Sequence, residues 1–304
     1  MSAVTNVETV LASGMRLTVP LAFAALGEYL AERAGTMNIS VEAMMLGGAF
    51  TSIAVASGTG DATVGLLAGT LVGLVIGVVH GALSHRAEIN TFVVGLTLNM
   101  LVLGLTSYFI ATHTYASHQV GQLKIPGLRE IPIIGPPLFV ERWPAYLLVG
   151  LVPLTWWLVK RSRWGLELRA VGENPQAADV TGIHVNRRKR QALMWCGLLS
   201  GLGGAYLAIG EVGSFNQNMT AGRGYLVIAA VIFGGWRLTR TLIGCGLFGL
   251  AGAGSLALPT IGIHLNDEFL LAAPYLLALL TMLVFSTQQR EPRALAKPFE
   301  RGST

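Results

Sequence analysis

Apolar runs separated by short polar stretches fill most of this 304-residue sequence. A helix needs about 20 apolar residues to cross a bilayer, so each run is predicted to be a transmembrane helix. The seventh run, of about 13 residues, is short and is predicted to be tilted, broken or partly re-entrant. We predict nine such helices, with eight and ten as alternatives, at about 15–32, 41–57, 63–83, 91–111, 144–160, 191–211, 224–236, 241–258 and 269–286.

A polar stretch from Lys160 to Gln191 interrupts this pattern and carries eight lysine and arginine residues. Short loops rich in these residues stay on the cytoplasmic side of a membrane, and this orients the other helices. The N-terminus is then predicted outside, the C-terminus with a basic tail (287–304) inside, and 112–143 as a long external loop. Sixteen of the 21 lysines and arginines fall inside, as this orientation requires. The outside ones are Arg16, Lys124, Arg129, Arg142 and Arg223.

Residues 161–190 are predicted to form a cytoplasmic coupling loop that contains a short helix. Asn174 can cap free N–H groups, Pro175 suits the first helical position, and Gly182 can end the helix. We interpret this helix as a docking element for a cytoplasmic partner. A solvated connector is the alternative.

The composition excludes an ordinary soluble domain. The chain is 52% hydrophobic and 12% charged, with a mean hydropathy of +0.58, whereas a soluble domain is about a quarter charged. We therefore predict one all-α polytopic transmembrane domain over residues 1–304. The sequence pI near 9.5 is attributed to the inside loops and to contact with anionic membrane lipid rather than nucleic acid.

Sequence motifs for chemistry are absent. There is no GxxxxGK[ST] phosphate-binding loop, no HExxH, no GxSxG and no carboxylate pair, so we predict neither catalysis nor a cofactor bound by this chain. His113 and His118 lack a third ligand at a recognisable spacing, so no metal site is predicted. A transporter without its own energy source requires an energising partner, for which the coupling loop offers a docking point.

Five glycines at a spacing of four occupy one side of the third predicted helix. Small residues in that register let another helix approach backbone to backbone, which is a main source of packing in lipid. We interpret the stripe as part of the scaffold, with a sliding surface between moving helices as the alternative. Its members are Gly65, Gly69, Gly73, Gly77 and Gly81.

Polar residues within the predicted helices are few. Burying them is costly, so each is a candidate for a polar pathway. The ionisable ones are Glu28, Glu42, His80 and Glu211, and a structural pairing is the alternative for Glu28. Asn99, in the middle of an apolar helix, is a hydrogen-bonding group that is assigned to a pathway or to helix association.

Two short stretches resemble each other: Gly35-Thr-Met-Asn38 follows the first predicted helix, and Gly213-Ser-Phe-Asn216 follows the sixth. The orientation above puts them at opposite faces of the membrane. We therefore predict two inverted four-helix repeats joined by a central fifth helix, a plan typical of transporters whose pathway lies at the repeat interface. Asn38 and Asn216 are accordingly candidate pathway residues, and a chance match is the alternative.

Several longer segments together resemble one known family, the permease subunits of the branched-chain amino acid, ribose and nucleoside class of ABC importers. The resemblance covers most of residues 15–285, and the outer-loop segment is most similar to the nucleoside and simple-sugar branch. Ser40 and Ala43 depart from it, standing where glycine is usual, as does the order Gly235-Trp236-Arg237. The segments are ERAGTMNISVEAMMLGGAF (32–50), VGLTLNMLVLGLT (94–106), IPIIGPPLF (131–139), GLELRAVGENPQAADVTGI (165–183) and AGRGYLVIAAVIFGGW (221–236).

This resemblance implies an assembly in a bacterial cytoplasmic membrane. Two permease chains would form the pore, two ATP-binding subunits would bind ATP below it, and an external substrate-binding protein would deliver substrate. The nucleoside branch implies that the second permease is a related chain, giving a heterodimer. Asn38, Glu42 and Asn99 match polar positions of the family segments. The residues implied for ATPase coupling are Arg169, Glu173, Asn174, Pro175, Ala178 and Gly182.

The leading functional hypothesis is a permease subunit for nucleosides. Import of ribose-like sugars or branched-chain amino acids by the same class is an alternative. An ion-coupled secondary carrier working alone, and a membrane scaffold without transport, are alternatives of other classes.

Overall fold

The chain is mostly helical in the computed structural model, which describes residues 3–124, 139–258, 266–285, 291–297 and 299. Nearly all of the IPIIGPPLF segment and part of the basic tail lie outside these ranges. A π-helical stretch, Tyr206–Val212, continues the helix Val185–Ala205, and the strands β1 (Gln122–Lys124) and β2 (Val140–Arg142) pair antiparallel. The described α-helices are α1 (Ala3–Arg33), α2 (Val41–Thr59), α3 (Ala62–His85), α4 (Thr91–Thr112), α5 (Leu147–Arg161), α6 (Arg163–Glu173), α7 (Pro175–Val180), α8 (Val185–Ala205), α9 (Arg223–Phe233), α10 (Leu238–Ala257) and α11 (Asp267–Phe285).

Five of the described helices are long and apolar enough to cross a membrane, namely α1, α2, α3, α4 and α8 with its π-helical continuation. They correspond to the first four predicted spans and the sixth. Helix α9 has 11 residues, which at 1.5 Å per residue gives about 16 Å, less than the roughly 30 Å of a bilayer core. The other predicted spans correspond to α5, α10 and α11, and the total of nine stays a prediction.

The glycine stripe of α3 packs against α8, which also contacts α1 and α2. A Cβ atom added at Gly73 would lie 2.5 Å from the Cα of Gly201, and one added at Gly77 would lie 2.5 Å from the carbonyl oxygen of Leu193. Side chains larger than hydrogen have no room there, so the two backbones touch. The predicted backbone-to-backbone approach is confirmed.

Contacts made in the first half of the chain recur in the second. Helix α3 packs on α8, and α10 packs on α1; likewise α2 contacts α8, and α9 contacts α1. Within each half, α2 contacts α4, and α9 contacts α11. These pairings are thus the same when α1–α4 are exchanged with α8–α11.

The two helices that begin these halves end in the same way. Gly35 follows α1 with φ +79°, and Gly213 follows the π-helical continuation of α8 with φ +80°. Glycine adopts this left-handed conformation without a steric cost, so both helices stop at a glycine. Non-helical chain then leads to α2 and α9, and each connection contains one of the two stretches that resemble each other in sequence.

The segment between α4 and α5 is tied to the π-helical stretch. The guanidinium of Arg142 donates to the carbonyl of Val120 (2.7 Å) and to the side chain of Gln119 (2.6 Å), while the N–H of Val120 donates to the carbonyl of Ile209 (3.3 Å). Burial raises the pKa of Glu141, next to Arg142, to about 7, against the opposing effect of the Arg16 guanidinium 3.5 Å away.

Candidate translocation site and coupling segment

Glu42, in the first turn of α2, is hydrogen-bonded to the start of α9. Its Oε1 accepts from the Thr220 hydroxyl (2.6 Å) and the Gly222 N–H (2.8 Å), and its Oε2 accepts from the Gly224 N–H (2.7 Å). A helix N-terminus has unpaired N–H groups and a partial positive charge, both of which favour a carboxylate. This buried side chain therefore joins the two halves of the chain at the point where the N-termini of α2 and α9 meet.

Asn99, in the middle of α4, also contacts residues at the starts of α2 and α9. Its Oδ1 accepts from the Ala43 N–H (2.9 Å), and its Nδ2 donates to the Ile39 carbonyl (3.0 Å) and the Tyr225 hydroxyl (3.0 Å). Every polar atom of this amide is engaged, so it fixes the entry of the chain into α2 and holds the phenol of α9.

An open pocket of about 260 Å³ lies against this group. Its polar wall consists of Glu42, Asn99, Tyr225 and Asn218, and its apolar wall includes Met100. Tyr225 is 44% exposed and lines the pocket, so part of it is accessible to a solute. A concave site with an apolar wall and a few convergent polar groups is the usual form of a small-molecule site.

The two other predicted pathway residues lie elsewhere. Asn38 is fully buried, donates its N–H to Glu28 Oε1 (3.2 Å), and accepts from the N–H (3.1 Å) and hydroxyl (2.7 Å) of Ser40. It therefore organises the turn between α1 and α2 behind the pocket. Asn216 is exposed in the connection before α9, where its carbonyl accepts from the Met219 N–H (3.1 Å). The structure brings Glu42 and Asn99 together, and leaves Asn38 and Asn216 outside the pocket.

Further buried polar side chains of α1 bind the opposite half of the chain. Glu32 Oε2 accepts from the indole N–H of Trp236 (2.5 Å), and Glu28 Oε2 accepts from the Cys196 thiol (3.3 Å). His80 contacts the Ser40 hydroxyl through Nδ1 (2.6 Å) and a threonine of α4 through Nε2 (2.9 Å). These bonds join α1 to α8 and to the turn after α9, and they join α3 to α4 and to Ser40. Glu28 therefore has a structural pairing, which was the alternative to a pathway role.

The coupling loop contains α6 as well as the predicted short helix, here α7. Asn174 Oδ1 accepts from the Ala177 N–H (3.0 Å), Pro175 occupies the first helical position, and Gly182 follows with φ +88°. The start and stop signals predicted for this helix are thereby confirmed. Glu173 is exposed beside the helix start, and Val180 is 88% exposed near its end.

The inner side of the coupling loop is anchored to the rest of the chain. Ala178 packs in a small apolar cluster with Val171, Val185 and Phe299 of the C-terminal tail, and Pro175 is buried. Arg169 is partly buried and donates to a carbonyl of its own helix, 3.3 Å away. One side of the loop therefore packs against the rest of the chain, and the other side is exposed.

The chain matches a known family over most of its length. Residues 10–286 match the permease component of the branched-chain amino acid transport system. The chain belongs to this permease family. It is 31% identical to the guanosine ABC transporter permease protein NupQ of Bacillus subtilis, with 93% of each chain covered. It is 30% identical to the nucleoside ABC transporter permease protein NupC of Lactococcus lactis (97% of each chain), and 27% identical to the ribose import permease protein RbsC of Escherichia coli (69% of this chain, 64% of that one).

Family membership makes this permease a multi-pass membrane protein and a transport component. Permeases of ABC importers work with ATP-binding and substrate-binding partners in general.

Sequence reasoning missed the partners of Glu42 and Asn99 in this permease. Thr220 and Tyr225 lie in a glycine-rich run that contains Gly222 at φ +87° and Gly224, where an added Cβ would lie 2.5 Å from the N atom of Glu42. The available signal was the pair of glycines before an apolar helix, which indicates a close backbone approach. What approaches them is 180 residues away and is not encoded locally.

Proposed function

We propose that this permease is the membrane-spanning subunit of an ATP-driven nucleoside importer, and that nucleosides pass the pocket at Glu42, Asn99 and Tyr225. The observation that carries the proposal is an open pocket with polar and aromatic lining, situated where α2 and α9 begin, in a chain similar to permeases named for guanosine and nucleosides. Substrate sites at the starts of interrupted helices are typical of transporters built from repeats.

The chemistry of the pocket suits a nucleoside. A base can stack on the exposed ring of Tyr225, since stacking on an aromatic side chain tolerates any base. The Tyr225 hydroxyl accepts from Asn99, which leaves its own proton for an acceptor on the base or the sugar. The exposed amide of Asn218 adds a donor and an acceptor at the rim.

The same proposal includes nine transmembrane spans with two inverted repeats, α1–α4 and α8–α11, joined by α5. The recurring helix contacts and the matching glycine turns at Gly35 and Gly213 support it. The N-terminus lies outside and the C-terminus inside a bacterial cytoplasmic membrane, which the charge distribution supports.

Cysteine labelling tests this orientation. Thr114, in the external segment, and Gln176, on α7, are both exposed, so neither substitution by cysteine disturbs packing. We expect an impermeant maleimide to label the first in intact cells and the second only after lysis. Labelling of both from the same side would contradict the orientation and the span count.

Coupling to ATP is assigned to partner subunits, two copies of which bind ATP below two permease chains. The second permease is a related chain, and an external substrate-binding protein supplies the nucleoside. The exposed face of α7, with Glu173 beside its start and Val180 near its end, seats in a groove of the ATPase. Burial of such an exposed apolar residue is a usual feature of an interface.

Reconstitution with the ATPase and the binding protein tests the function. We expect ATP-dependent uptake of labelled guanosine that unlabelled nucleosides suppress and that ribose or leucine does not. The double variant Glu173→Lys with Pro175→Gly should lower substrate-stimulated ATP hydrolysis about tenfold and reduce co-purification of the ATPase, because it reverses a charge at the helix start and loosens the first turn.

The matched control is Glu291→Lys, which reverses an exposed charge in the tail and should leave ATP hydrolysis unchanged. Suppression of uptake by ribose or leucine but not by nucleosides would reassign the substrate. Uptake by the permease alone, driven by an ion gradient, would instead establish a secondary carrier.

A further inference from the structure

A cleft of about 350 Å³ opens between α3 and α8, at the end of the membrane-spanning region where α3 stops and α8 begins. It shares no lining residue with the nucleoside pocket. Seven residues line it, from α3 with the residue that follows it and from α8, namely Val78, Ala82, Arg86, Arg187, Arg190, Gln191 and Met194.

Both walls of the cleft change from apolar to basic in the same direction. On α3 the lining residues are spaced by four, and on α8 by three and four, so each set forms one stripe along its helix. Val78 is 43% exposed and Met194 is 38% exposed at the membrane end of the cleft. The three arginines lie at the opposite end, next to the aqueous phase.

The positive charge of the cleft is not neutralised by the protein. Among the described residues, no carboxylate lies within ion-pair distance of Arg86, Arg187 or Arg190. The Nε of Arg190 is buried and has no hydrogen-bond partner there. Arg188, by contrast, bonds Glu167 at 2.5 Å. A buried donor without a partner lowers the stability of the protein, so an anionic acceptor from outside the chain would stabilise the cleft.

We propose that this cleft binds an anionic phospholipid, with the phosphate among the three arginines and an acyl chain along Val78, Ala82 and Met194. Guanidinium groups match phosphate oxygens in geometry and charge. A basic pocket between membrane helices at the lipid–water boundary is suited to an acidic headgroup. The apolar wall favours a lipid over a soluble phosphate, because an acyl chain can contact the exposed Val78 and Met194 and a phosphate ion has no apolar part.

The test uses the full chain in nanodiscs of phosphatidylcholine with a minor fraction of phosphatidylglycerol. The protein is released from the nanodiscs in a native mass spectrometer, which measures the lipid that stays bound to it. We expect wild type to retain phosphatidylglycerol, and the variant Arg86→Gln, Arg187→Gln, Arg190→Gln to bind it on the order of a hundredfold more weakly, at about fivefold for each arginine. Arg187→Gln alone changes only an exposed side chain and should show the fivefold loss even if the triple variant is unstable.

The control variant Lys160→Gln, Arg161→Gln, Arg163→Gln removes the same charge from exposed positions nearby and should leave retention unchanged. An equal loss in the control would reduce the effect to general surface attraction and overturn the site. Displacement of the lipid by millimolar inorganic phosphate would overturn the lipid in favour of a free anion. Unchanged lipid retention in the triple variant, with loss of ATPase co-purification, would assign the arginines to the protein partner instead.

Discussion

Replacing Gly73 with leucine will prevent assembly of a stable permease. An added Cβ would lie 2.5 Å from the Cα and 2.8 Å from the N atom of Gly201 on α8, and backbone atoms cannot move aside as a flexible side chain can. The leucine must hold α3 and α8 apart, and in lipid that close contact is what keeps helices together. Overpacking costs about 1–3 kcal/mol and occasionally more, and we expect the upper end here because the obstacle is backbone.

The measurement is the yield of monodisperse protein and its thermal midpoint in detergent. Gly104→Leu on α4 is the matched control, since it makes the same substitution within a membrane helix and an added Cβ there has nothing within 4 Å. The control should purify like wild type. Equal yields and midpoints for the two variants would show that the α3–α8 contact does not hold the permease together.

The glycine stripe shows how far sequence reasoning reaches. A spacing of four along α3 was enough to predict a close helix contact, because the spacing alone places the glycines on one face. It could not identify the partner, since Gly197 and Gly201 lie more than a hundred residues further along the chain and no local signal links them to Gly73. Pairing between distant helices is decided by packing of the whole chain.

The coupling loop likewise contains one helix that the sequence predicts and one that it does not. Asn174, Pro175 and Gly182 predict the short helix from local signals alone, and α7 is that helix. The length of apolar runs does not predict α6, because this helix lies within the polar stretch from Lys160 to Gln191, although Ser162 caps it by accepting from the Gly165 N–H (3.0 Å). Its amphipathic character becomes visible only when the window is shortened to about three turns.

The predicted pathway residues differ in what their sequence signal can locate. Glu42 and Asn99 were identified because a polar side chain in an apolar helix is unusual by itself. The resemblance to Asn38 predicts Asn216, yet the residue that lines the pocket is Asn218, two positions further on. A resemblance of four residues locates the connection between helices, and the conformation of the connection decides which of its side chains faces the pocket.

Replacing Glu42 with alanine should abolish nucleoside uptake and lower the stability of the permease. The partly buried N–H of Gly222 and the buried N–H of Gly224 would lose their acceptor. At about 1–3 kcal/mol for each unsatisfied group, the loss is roughly 2–6 kcal/mol. Helix α9 would then begin later or shift, and Tyr225 would move away from Asn99.

Glu42→Gln separates the charge from the geometry, because the amide keeps one acceptor oxygen and presents a donor to the other partner. We expect its thermal midpoint and its uptake to lie between those of wild type and Glu42→Ala. Asp61→Ala is the control: Asp61 also accepts from a helix-start N–H, that of Thr63 at 2.7 Å, but it is exposed. Water can satisfy the freed N–H of α3, so that loss should be about 1 kcal/mol with uptake retained. If Glu42→Ala transports guanosine at the wild-type rate with an unchanged midpoint, the carboxylate neither holds α9 nor borders the pathway.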